Sequence, residues 1–144
     1  NVLEFAHYKD FAPNKFKASR VTDKTASGTL VYLQIPIMHG LVTLWTEALF
    51  TQPVDVAPEE EFVEGTLVRG NMKDFHVVWT MRSLPGRSAS PVPLWTELRC
   101  DLLVTPHVPA PEDKVDEELR DAAEQAIVAI RDRSERSAAP KATR

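Results

Sequence analysis

The sequence predicts an α+β domain in which a curved antiparallel sheet wraps around one long C-terminal helix. Three observations carry that expectation. Apolar and polar residues alternate through most of the chain as far as Thr105, the period changes from two to about 3.6 after a proline-rich connector, and 144 residues suffice for one core but are short for two. At 1.5 Å per residue the helical stretch is roughly 30 to 35 Å long, enough to cross a small domain. A sheet that covers such a rod has to bend around it.

Taken in order, Val2, Leu3, Phe5 and Ala6 fall on one side of a helix end. Pro13 disfavours helix at Ala12, so the chain turns and continues as a strand over Phe16 to Thr22. Lys24-Thr25-Ala26-Ser27-Gly28 has the small, polar composition of a hairpin turn, and Thr29 to Ile37 is the returning strand. Leu41 to Thr51 places Val42, Leu44, Thr46, Ala48 and Phe50 on one face, with Leu41, Thr43, Trp45, Glu47 and Leu49 on the other. Gln52-Pro53 and the acidic stretch around Glu59, Glu60 and Glu61, read as a solvated loop, lead to a strand over Phe62 to Arg69, and Gly70-Asn71 turns the chain again. In the next strand Phe75, Val77, Trp79 and Met81 alternate with His76, Val78, Thr80 and Arg82.

The breaker-rich run Leu84 to Pro93 reads as a surface loop. The last strand, Leu94 to Thr105, turns Thr96, Leu98, Cys100, Leu102 and Val104 toward the core and Glu97, Arg99 and Asp101 toward water. After the stiff connector Pro106 to Pro111, Val115, Leu119, Ala122, Ala123, Ala126, Ile127 and Ile130 form one helical stripe. Asp113 is the expected N-cap; Asp116, Glu117 and Glu118 suit the positive helix start, and Arg131, Arg133 and Arg136 its negative end. The expected organisation is one domain over residues 1–136 and a tail over 137–144 with too little apolar surface to pack.

Composition excludes several classes of function. A net charge of -4 argues against a nucleic-acid partner, because phosphate binding requires a basic face. Cys100 is the single cysteine, which forbids an internal disulfide and disfavours a cysteine-built metal site, so a reducing, cytoplasmic setting is expected. Four scattered histidines without ligand spacing give no metal site, and no Gly-x-Ser-x-Gly, Walker-type or Gly-x-Gly-x-x-Gly phrase points to a hydrolase, a nucleotide or another cofactor. The longest apolar region, Leu30 to Phe50, is broken by Gln34, Pro36, His39 and Glu47 and does not read as a transmembrane segment. The chain opens at Asn1 without Met or a charged leader, which reads as the continuation of a longer N-terminus.

Local phrases carry a resemblance. Val2-Leu3-Glu4-Phe5-Ala6-His7-Tyr8-Lys9-Asp10-Phe11-Ala12-Pro13, Phe75-His76-Val77-Val78-Trp79-Thr80-Met81 and Thr96-Glu97-Leu98-Arg99-Cys100-Asp101-Leu102 are similar in size and polarity to the first-helix exit and two late strands of the START-like polyketide cyclase/dehydrase superfamily. The order of elements is also similar: a helix remnant, five or six antiparallel strands, a proline-rich connector and a long terminal helix. The resemblance implies a helix-grip fold and a cavity between sheet and helix for a lipid, sterol, quinone or polyketide. In that family an N-terminal strand pairs with the last one; none precedes Asn1, which predicts an open sheet edge.

Trp79, Phe75, Val77 and Met81 share one strand face and Leu119, Ala123 and Ile127 lie on the helix stripe, so these seven are the candidate lining of a ligand site, with Trp79 offering both contact area and an N–H donor. Tyr32 and His76 are the added polar candidates; for each the plain alternative is a strand residue facing water, and for Trp79 it is ordinary packing. His39 reads as a turn residue and Cys100 as a small core residue rather than a nucleophile. The leading expectation is a carrier or binder of a hydrophobic small molecule, with two alternatives: a polyketide cyclase or dehydratase using a few polar pocket residues as acid and base, and a protein-interaction module. Neither catalytic residues nor an oligomeric state are legible.

Overall fold

The computed structural model describes residues 3–84 and 95–138. A 3-10 turn (Phe5–His7) and the short helix α1 (Tyr8–Phe11) precede strands β1 (Ala18–Thr25), β2 (Gly28–Ile37), β3 (Val42–Phe50), β4 (Val54–Ala57), β5 (Glu60–Gly70), β6 (Met72–Leu84) and β7 (Trp95–Pro106), and helix α2 (Glu112–Ala138) follows. The strands form one curved antiparallel sheet in the order β1-β2-β3-β5-β6-β7, with β4 on β5. The predicted α+β helix-grip architecture is therefore the one observed. The loop expected over Leu84 to Pro93 lies outside the described residues apart from Leu84, which ends β6, and so does the tail from residue 139 onward.

Seven strands form where five or six were expected, because β4 was read as part of a loop. Pro53 interrupts the ladder after β3, and β4 resumes along the same edge of β5: Phe50 pairs with Gly65, and Val54 with Phe62. A four-residue, fully exposed strand has little periodicity to reveal it. Helix α2 starts at Glu112, which places the expected cap Asp113 inside the first turn. Pro111 is the cause, since its fixed φ suits a helix start and its carbonyl accepts the N–H groups of Lys114 and Val115.

Strict alternation assigns the sheet its two faces. Val31, Leu33, Ile35 and Ile37 of β2, Leu44, Thr46, Ala48 and Phe50 of β3, Val63 of β5, and Phe75, Val77 and Trp79 of β6 are buried on the inner face. The inward stripe of α2, Val115, Leu119, Ala122, Ala126 and Ile130, joins them in one core with Phe5, Tyr8 and Phe16. Helix α2 approaches the sheet at β2 and β7 and rests on α1. The N-terminal segment is fixed from both sides: Ser19 donates to the Ala6 carbonyl at 3.0 Å and accepts from Lys9 N–H at 2.9 Å, and the Phe5 ring meets Phe50 at 4.3 Å. Among the described residues, no helix is long and apolar enough to cross a membrane.

Candidate functional site

The structure divides the predicted site residues by sheet face. Phe75, Val77 and Trp79 are buried on the inner face, opposite the α2 stripe that contains Leu119. Met81, Ala123 and Ile127 are half-buried, as are Leu98 and Cys100 of β7. Met81, Leu98, Cys100 and Ile127 pack against the core as its partly buried apolar margin.

Tyr32 and His76 lie on the outer face, away from that interior. The two-residue period decides this, because Tyr32 stands between the buried Val31 and Leu33, and His76 between Phe75 and Val77. Each has a partner there. Gln34 Nε2 donates to the Tyr32 hydroxyl at 2.6 Å, Arg20 lies 4.2 Å above the Tyr32 ring, and His76 Nε2 is 2.6 Å from Glu64 Oε1. Of the other polar strand residues, Glu47 is also on this face and only 7% exposed. It accepts from the Thr22 hydroxyl at 2.6 Å and from Arg69 Nε at 2.5 Å, and these two bonds hold its carboxyl below the usual carboxylate range.

The interior offers no ionised group among the described residues. Burial, with the Asp101 charge adding to it, pushes the Cys100 thiol up to about 12, so it is protonated at neutral pH and inert as a nucleophile. Burial likewise raises the Tyr8 phenol, with a smaller contribution from Cys100. Thr46 differs from the other buried polar side chains. Its hydroxyl has no exposed surface and no hydrogen-bond partner, an arrangement that costs about 1–3 kcal/mol for a neutral group. Its place on the apolar face of β3 was legible in the alternation; its missing partner was not.

Among the described residues, clefts flank α2. One of about 820 Å³ lies between its first turns and the β2–β3 connection, lined by Pro36, Met38, Leu41, Lys114 and Glu118 among others. A second of about 440 Å³ lies between Phe11–Asn14 and Val128, and a third of about 310 Å³ between Val104 and Val115. None of them is lined by the residues predicted from sequence. At the cleft of about 820 Å³, Met38, His39 and Gly40 all have positive φ, at 52, 57 and 84°. The turn is held by a bond from Met38 N–H to Glu118 Oε1 at 3.1 Å, which offsets part of the strain of two non-glycine residues in left-handed geometry.

No family model matches the chain, and neither does any curated protein. A solved structure does: a START superfamily protein from Mycobacterium smegmatis superposes with a TM-score of 0.65 over 94% of this chain and 85% of that one, at 18% sequence identity.

Proposed function

We propose that this chain, whose fold is START-like, binds a hydrophobic small molecule between the inner face of its sheet and α2. The observation that carries the reading is the half-buried apolar margin. Met81, Leu98, Cys100 and Ile127 are apolar, only partly buried and packed against the core, and half-covered apolar surface of this kind favours an apolar occupant. The fold supports the same reading, since this superfamily commonly binds hydrophobic ligands. A binding role is favoured over cyclase or dehydratase chemistry because Cys100 and Tyr8 are held protonated and His76 faces outward, which leaves the interior without a ready base. An interaction module draws its support from exposed apolar residues such as Trp95 and Leu103 of β7, 62% and 60% exposed.

Native mass spectrometry of protein purified without added ligand separates these readings. A retained apolar mass that denaturation releases supports binding. A uniformly bare chain that also takes up none of a panel of alcohols, ketones, sterols and quinones removes it.

A further inference from the structure

We propose that Thr46 is the polar anchor of the interior, and that the ligand is a neutral molecule presenting one oxygen, as an alcohol, ketone or ester, on an apolar body. The proposal rests on the binding reading above. Ser19 and Glu47, the other buried polar side chains among the described residues, are both satisfied within the protein, Ser19 by Ala6 and Lys9 and Glu47 by Thr22 and Arg69. The Thr46 hydroxyl is not, although valine would fill nearly the same volume without an unpaired group. Its neighbours on the inner face carry no polar side chain: Leu33 is its register partner on β2, Gly70 its partner on β5, and Leu44 and Ala48 flank it along β3.

A hydroxyl both donates and accepts, so it satisfies a ligand carbonyl or hydroxyl equally well. A carboxylate is disfavoured, because the interior has no buried cation among the described residues to compensate its desolvation. Thr46 has no exposed surface, so a ligand reaches it only as the interior widens.

Four probes on one skeleton test this: butylbenzene, phenylbutanol, benzylacetone and phenylbutanoate, titrated calorimetrically into the wild-type chain, Thr46→Val and Thr46→Ser. The expected result is that Thr46→Val weakens phenylbutanol and benzylacetone by about tenfold, the equivalent of one hydrogen bond. It should leave butylbenzene unchanged, Thr46→Ser should retain the alcohol and ketone, and phenylbutanoate should bind wild type more weakly than either. In the absence of probe, Thr46→Val should melt at the wild-type temperature or above it. Equal affinity of the ketone for wild type and Thr46→Val, preference for phenylbutanoate, or a lowered melting temperature in Thr46→Val would each overturn the anchor while leaving the binding reading intact. If no probe binds the wild type, the binding reading itself fails and the anchor with it.

Discussion

Gly65 has no room for a methyl group. A Cβ there would lie 2.6 Å from the Phe50 ring and 2.8 Å from Val77, and the ring cannot swing aside because it is buried against Phe5. Gly65→Ala is therefore expected to destabilise the fold by about 1–3 kcal/mol in a denaturant titration, through overpacking rather than lost burial. Gly28→Ala should be worse, since its Cβ would fall 2.0 Å from the Phe50 carbonyl oxygen at a φ of +151°. Glu47 governs a different observable. Its folded pKa is depressed below the unfolded value, so its contribution is present at neutral pH and disappears as the pH falls through the folded value. Glu47→Gln should flatten the loss of thermal stability between neutral pH and about pH 3; an unchanged acid limb would show that the Thr22 and Arg69 bonds do not stabilise the fold. Side-chain direction was legible for these residues because the strand period is two, which placed Trp79 inward. Partners were not. The Glu47 network joins β1, β3 and β5, and no local pattern announces a contact between residues so far apart in the chain.

Among the elements, α2 was the most legible, because its stripe repeats over more than four turns and so many apolar residues at helical spacing have no alternative reading. Its start was misplaced by two residues, since capping preference by side chain gave way to the fixed φ of Pro111. The stripe also states what the helix does. Leu119 and Ile130 are both buried in the core, so Leu119→Asp or Ile130→Asp combines lost burial with an unpaired buried charge. A loss of several kcal/mol, on the order of 3–5, is expected for each by chemical denaturation. Thermal unfolding at the wild-type temperature in either variant would mean that the helix is not packed as described. Strand β7 met its expectation in pattern and departed from it in degree: Leu98, Cys100 and Val104 face the interior, yet Leu102 on the same face is exposed. Burial depends on what covers a strand, and alternation along a strand carries no information about its cover.

At the scale of the whole molecule, a curved sheet grips α2 around one apolar core. The fold was legible because two periods and one connector specify it; the identity of the proposed ligand was not, because apolar residues select by size and shape rather than by residue type. The most direct test is the emission of Trp79, buried on the inner face, while Trp45 is half-buried on the outer face and Trp95 is exposed. Titration with benzylacetone, sterols, quinones and aromatic polyketide mimics should shift or quench the indole emission for at least one of them, with little dependence on salt because apolar burial dominates. The response should vanish in Trp79→Phe and persist in Trp45→Phe and Trp95→Phe. A response that survives in Trp79→Phe, or emission that no ligand class alters, would contradict the account.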